Sequence, residues 1–153
     1  MLYKKYSLKD NKIELMLPSD FERVDQYAWC SKSQTVRVDF SMCDGLKQEQ
    51  STSIRLQEHY LFYKNHMEGF ACRHIIKKQI WGREFGEMMY SSKQLGYGFF
   101  HVLLIGELEG EEILLSLQCL EKEKTEMEHV FSIITDSVRL NPRTGTKEEK
   151  YAN

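Results

Sequence analysis

Histidine and cysteine side chains are concentrated in the stretch HMEGFACRH, which holds two histidines and one cysteine within nine positions. Such residues bind transition metals, and a structural zinc ion needs four ligands that converge as a tetrahedron. Cys72 and His74 are two residues apart on a predicted strand, so we expect both on one face. They supply two ligands, and His101 or Cys119 would complete a set only if the strand order brought it close.

A second pair, His59 and His66, is seven residues apart on a predicted helix. This spacing separates the two rings by roughly 10 Å along the helix axis, which is too far for one shared ion. We therefore predict no metal ligands and no cofactor. Cys72 is interpreted as a buried thiol beside polar histidines at the surface.

Nucleophilic catalysis needs an activated side chain, a base and a third group that orients the base. No serine of the sequence lies in a G-x-S-x-G turn, and no recognisable third group accompanies Cys72 and His74. We therefore predict that the protein is not an enzyme and has no catalytic residues. The alternative hypothesis is a small metal- or thiol-dependent enzyme that uses Cys72, His74 and His101.

The composition is that of an ordinary globular protein, with 41% apolar and 29% charged residues in a chain of 153. This length suits one domain. The 21 basic and 23 acidic residues are interspersed and give a net charge of −2, so we expect no nucleic-acid partner. No apolar run is long enough for a secretory signal or a membrane span, so we expect a cytoplasmic protein that does not enter a membrane.

Hydrophobic periodicity predicts an α+β domain. Val36, Val38 and Phe40 alternate with polar residues as in a half-buried strand, and the preceding YAWCS is its predicted hairpin partner. From about Ser51 the apolar residues follow the spacing of an amphipathic helix. The buried stripe of that helix is Leu56, Tyr60, Tyr63, Met67 and Phe70.

The second half of the chain repeats this order. Strands are predicted in CRHIIKKQIW, EMMYSS, GFFHVLLIGEL and EILLSLQCL, and a second helix runs from about Thr125 until Asn141 and Pro142 end it. The order predicts a single antiparallel sheet packed against two main helices. We assign residues 1–142 to this single α+β domain and residues 143–153 to a charged, loosely ordered C-terminal tail.

The strand GFFHVLLIGEL is apolar on both sides, which a half-buried strand would not be. A helix or loop of the same chain would cover the second side, and so would a second copy or a protein partner. If this side is exposed, it is where a partner docks. The candidate partner-binding residues are Phe99, His101, Leu103, Ile105 and Leu114.

Both ends of the chain resemble the PsbP/DcrB-like superfamily. In IELMLPSDF an alternating strand runs into Leu-Pro, and VFSIITDSVRL is a terminal helix with a serine near its close. The resemblance covers nearly the whole chain and implies a PsbP-like sandwich of sheet and helices. It also implies binding of another protein without catalysis, as an adaptor or chaperone-like module, and it assigns no binding residue to a numbered position. We therefore expect a protein partner or self-association.

Overall fold

The structure is a computed structural model that describes residues 1–43 and 51–141. The predicted tail, 143–153, and Pro142 lie outside these residues. The strands are β1 (Tyr3–Leu8), β2 (Ile13–Pro18), β3 (Glu22–Asp25), β4 (Ala28–Cys30), β5 (Arg37–Cys43), β6 (Ala71–Ile80), β7 (Arg83–Gln94), β8 (Tyr97–Leu108), β9 (Glu111–Leu120) and β10 (Arg139–Leu140). The helices are α1 (Thr52–His66) and α2 (Lys124–Asp136), and a 3₁₀ turn, Glu121–Glu123, precedes α2.

The strands form two antiparallel sheets. Within the described ranges, the larger has seven strands in the order β3-β4-β5-β9-β8-β7-β6, and the smaller has three in the order β1-β2-β10. The prediction of an α+β fold with two helices is confirmed, whereas the prediction of a single sheet is wrong. The third strand of the smaller sheet escaped prediction because β10 is two residues long and pairs with Ile13 and Glu14, more than 120 positions away. The predicted hairpin of β4 and β5 is present.

The main core lies against one face of the large sheet, which we call the inner face. Phe100, Val102 and Leu104 of β8 point into this core from the sheet. Helix α2 and the small sheet supply the opposite layer. Its buried members include Met127, Phe131 and Ile134 of α2 and Ile13, Leu15 and Leu17 of β2. This layer accounts for one of the two apolar sides of β8.

Helix α1 packs on the other side of the large sheet, which we call the outer face. Leu56 of α1 is buried in a second apolar cluster with four sheet residues. The predicted helical stripe is confirmed, because Tyr60, Tyr63, Met67 and Phe70 pack against this cluster. The sheet residues of the cluster are Met88, Tyr90, Leu103 and Ile105. The sheet is thus covered on both faces by helices of the same chain.

The second helix is shorter than predicted. It ends at Asp136, and Ser137 is its C-cap residue. The Ser137 hydroxyl donates to the carbonyl of Ile134 at 2.6 Å and accepts from the backbone N–H of Met16 at 2.8 Å. This hydroxyl therefore joins the end of α2 to β2, and the chain then continues as β10.

Gly106 of β8 makes room for the buried ring of Phe85. A Cβ atom on Gly106 would lie 2.3 Å from Cε2 and 2.5 Å from Cδ2 of that ring. We expect Gly106→Ala to lower the free energy of unfolding by about 2 kcal/mol, because the ring must leave a packed position. Urea denaturation measures this loss. The matched control is Gly98→Ala on the same strand, where the nearest atom is the side-chain Cβ of Glu121 at 3.2 Å. Equal losses in the two variants would contradict the prediction.

Candidate functional site on the outer face

Short capping interactions fix helix α1 above the outer face. The Ser51 side chain accepts a hydrogen bond from the N–H of Ile54 and caps the first turn. At the other end Gly69 takes a φ of +65°, a left-handed conformation that lets the chain reverse into β6. The Lys93 N–H donates to the carbonyl of Glu68 at 2.8 Å and ties this reversal to β7. Helix α1 is thus anchored to the sheet through its flanking residues.

Helix α1 buries three of the five predicted partner-binding residues. His101, Leu103 and Ile105 are buried beneath it, whereas Phe99 and Leu114 are half-buried. Three explanations were open for the second apolar side of β8: a helix or loop of the same chain, a second copy, or a protein partner. In the structure this side is covered by a helix of the same chain, α1. A role of these five residues in partner binding stays a prediction.

His101 is held by two buried neighbours, Tyr90 and Ser92. Its ring stacks on that of Tyr90, with centroids 4.4 Å apart and planes 7° from parallel. Its Nε2 lies 2.7 Å from the hydroxyl of Ser92. Burial lowers the pKa of His101 to about 4, because the charged imidazolium loses its water. The ring is therefore neutral near pH 7 and contributes packing and one hydrogen bond.

An ion pair fastens α1 to β9. The Glu112 carboxylate is buried, and Arg55 of α1 reaches it with Nε and with Nη2, the latter at 3.1 Å from Oε1. His59, one turn further along α1, places Nε2 3.6 Å from the same oxygen. Glu112 belongs to a run of acidic residues that has the composition of a solvated surface. Sequence reasoning missed the pair because its partners are 57 positions apart.

The proposed thiol and histidine pair is separated by a β-bulge. Cys72 pairs with Tyr90, while His74 pairs with Met89, the next residue along β7. Neighbouring residues of a strand point to opposite faces, so Cys72 faces α1 and His74 faces the other side. The prediction that the two share a face is wrong, because the bulge inserts one extra residue.

The remaining candidate ligands are also dispersed. Cys119 is buried in the inner-face core, whereas His101 lies on the outer face, where it stacks on Tyr90. Within residues 1–43 and 51–141, no group of three or more His, Cys, Asp or Glu side chains is placed to hold a metal ion. Burial raises the pKa of the Cys72 thiol, which is opposite to the shift found in reactive cysteines.

Helix α1 also carries large apolar side chains on its outward side. Phe62 is 59% exposed, and Ile54 and Leu61 are exposed as well. The Phe62 ring stacks on His66 at a centroid distance of 4.3 Å. Beside it, the flank of α1 that faces β9 borders an open pocket of about 470 Å³. The pocket is lined by Arg55, Glu58, His59, Phe62 and Tyr63.

We call the outward residues Ile54, Leu61 and Phe62, together with this pocket, the α1 surface. Leu114 lies near it, because Leu114 is two residues from Glu112 on the same face of β9.

In the part of the chain that the structure describes, no helix is both long and apolar enough to span a membrane.

Comparison with solved structures identifies the fold. No protein-family model and no curated protein matches the sequence. The cyanobacterial PsbP protein of Synechocystis sp. PCC 6803 superposes with a TM-score of 0.67 at 9% identity, over 91% of this chain and 92% of that one. The Ran-binding protein Mog1p of Saccharomyces cerevisiae has a TM-score of 0.66 at 10% identity, over 93% and 97%.

A third similar structure is LpqN, involved in cell envelope biogenesis of Mycobacterium tuberculosis. It has a TM-score of 0.63 at 13% identity, over 92% of both chains. Sequence identities this low, together with the superpositions, establish a common fold, and they do not establish a common activity. The comparisons confirm the fold-level resemblance of this chain to the PsbP/DcrB-like superfamily.

Proposed function

We propose that the protein is a non-catalytic protein-binding module, an adaptor or chaperone-like domain, whose partner docks on the α1 surface. The observation that carries this proposal is the distribution of apolar residues on α1. One side of the helix covers the sheet, yet Ile54, Leu61 and Phe62 on the outward side are apolar and exposed. A helix that is apolar on both sides is ordinarily covered on both sides.

The surroundings of these residues suit a protein partner. Phe62 lies next to Arg55 and His59, and aromatic and arginine side chains are enriched among the residues that dominate binding energies. Among proteins of the same fold, Mog1p is named for binding Ran, which is itself a protein. Phe99 and Leu114 extend the docking area, and His101, Leu103 and Ile105 support it from below by holding α1 in place.

The test compares a variant of the α1 surface with a variant of α2. The tagged domain, Phe62→Asp and the control Thr125→Asp are each used to capture proteins from native lysate, and captured proteins are identified by mass spectrometry. Thr125 is exposed on the opposite side of the sheet. We expect a partner that the native domain and Thr125→Asp both retain and Phe62→Asp loses. With the purified partner, calorimetry should show affinity falling by a factor of about 30, as for a loss of about 2 kcal/mol.

Two outcomes would contradict this proposal. A partner that Phe62→Asp captures as well as the native domain must bind elsewhere. The second outcome is that no partner is captured while the native domain elutes as a dimer and Phe62→Asp elutes as a monomer. In that case the α1 surface serves self-association.

A further inference from the structure

The turn between β6 and β7 exposes a tryptophan in an unfavourable backbone conformation. Trp81 and Gly82 both have positive φ, +53° and +77°, as in the two-residue type I′ turn of a hairpin. Asparagine, aspartate and glycine suit the first position of this turn, whereas a bulky residue there is an outlier. The indole is also 61% exposed, so packing within the chain does not account for it. Leu95 in the β7–β8 turn has a similar φ of +52°, so only the surroundings of Trp81 can assign it a role.

The edge of the large sheet beside this turn is open. The sheet order ends at β6, and among the described residues no strand pairs with its other side. Ile80 closes the two-residue turn with Arg83, so its backbone N–H and C=O point to β7, as do those of Lys78. The backbone groups of Lys77 and Gln79 alternate with them and point away from the sheet. They form a template to which an extended segment can pair.

A pocket lies four residues back from the tryptophan along the same strand. It has a volume of about 190 Å³ and lies between the first turns of α1 and strands β6 and β7. Its lining includes the apolar side chains of Leu56 and Ile75, and Lys77. A cavity of about 150 Å³ holds benzene, so this pocket can take the six-membered ring of an indole. The lysine ammonium group can lie over such a ring.

The spacing between tryptophan and pocket makes this edge self-complementary. Gln79 is midway between Trp81 and Lys77, so a two-fold axis at Gln79 sets Trp81 of each copy opposite Lys77 of the other. Residues that are opposite one another on antiparallel strands have their side chains on the same face of the sheet. The two tryptophans therefore arrive at the two pockets. The backbone groups of Gln79 and Lys77 that point away from β7 are the ones that this pairing uses.

The charges of β6 are compatible with this pairing. Each lysine and the arginine of β6 already contacts a carboxylate of its own chain, so the edge does not call for an acidic partner. The pairs are Lys77 with Glu84, Lys78 with Glu87 and Asp136, and Arg73 with Glu121. An axis at Gln79 sets Lys78 opposite Ile80 and Lys77 opposite Trp81. An axis at either lysine would instead set two lysines directly opposite one another, which is unfavourable.

We propose that the chain forms a two-fold symmetric dimer through β6, in which each Trp81 enters the pocket of the other copy. The large sheet then continues from one copy into the next. A tryptophan that is 61% exposed can bury roughly 150 Å² on docking, so the two rings and the surfaces that they cover account for roughly 600 Å². The paired edges add to this area and bring it near the about 1,000 Å² of the smallest specific interfaces. The dimer is therefore weak and reversible.

Sedimentation of the full chain over a series of concentrations tests this dimer. We expect reversible dimerisation of the native chain, and dimerisation weakened at least about a hundredfold in Trp81→Asn, because each dimer loses two anchoring side chains. Monomeric Trp81→Asn should melt no lower than the native monomer, since asparagine suits a positive φ. The matched control is Leu95→Asn, which makes the same change in the β7–β8 turn, where Leu95 is 90% exposed. It should dimerise as the native chain does.

Two further variants locate the contact. Gln79→Pro removes an N–H from the open side of β6 and not from its pairing with β7, so it should be folded by circular dichroism and monomeric. Phe62→Asp should dimerise as the native chain does, which separates this dimer from the α1 surface. The proposal is overturned if the native chain stays monomeric at millimolar concentration, if Trp81→Asn or folded Gln79→Pro dimerises as tightly as the native chain, or if Leu95→Asn is weakened as much as Trp81→Asn.

Discussion

Leu103→Asp is expected to lower the free energy of unfolding by at least about 5 kcal/mol. Leu103 is 2% exposed and lies in the cluster between α1 and the outer face. Removing a buried leucine side chain costs about 2–5 kcal/mol, and the carboxylate adds the cost of burying a charge with no partner. Domains have total stabilities of about 5–15 kcal/mol, so the variant should be largely unfolded in circular dichroism and thermal melting.

Phe99→Asp is the matched control, since Phe99 lies on the same face of the same strand and is half-buried. It should remain folded, and Leu103→Ala should fall between the two. A folded Leu103→Asp with nearly native stability would mean that α1 does not cover this part of the sheet in solution. In that case Leu103 would be available to a partner directly.

Acid is expected to destabilise the domain through His101. Its pKa is lowered to about 4 in the folded state, against an ordinary value of 6.5. Between these two values the unfolded chain binds a proton that the folded chain excludes, so stability falls as the pH is lowered through this window. The full loss is about 3 kcal/mol, and above pH 6.5 His101 contributes no pH dependence.

Urea denaturation of the native chain and of His101→Gln, each at pH 7 and pH 4.5, isolates this contribution. The glutamine keeps a hydrogen-bonding group near Ser92 but cannot titrate in this range. The native chain should lose about 2–3 kcal/mol more than the variant between the two pH values. If the native chain and His101→Gln lost the same free energy of unfolding, His101 would be protonated in the folded state at pH 4.5, which would contradict the prediction.

Local patterns carried enough information to predict most of the elements. The stripe from Leu56 to Phe70 predicted which side of α1 faces the sheet, and the alternation of Val36, Val38 and Phe40 predicted β5. These patterns succeed because the period of a single element determines which of its side chains are buried. They do not report which element covers a given face.

Contacts between distant segments could not be predicted in this way. The lack of alternation in β8 indicated two covered sides but left open whether α1 or another molecule covers the outer face. The Arg55 and Glu112 pair depends on how α1 crosses the sheet, and the separation of Cys72 from His74 depends on one extra residue in β6. Each of these features is determined by tertiary structure. Sequence periodicity does not report which segments of the chain contact one another.

The separation of the two apolar clusters has a consequence for how the domain opens. Among the residues that the structure describes, the cluster between α1 and the outer face has five buried members, while the inner-face core has 25. Parts of a protein with fewer buried apolar contacts open at a lower free energy than the whole and often do so as one cooperative unit. Helix α1 would therefore detach as such a unit while the rest stays folded. In that minor state His101, Leu103 and Ile105 become accessible and the pocket on the flank of α1 that faces β9 is lost. A partner bound at the α1 surface would therefore favour the closed state.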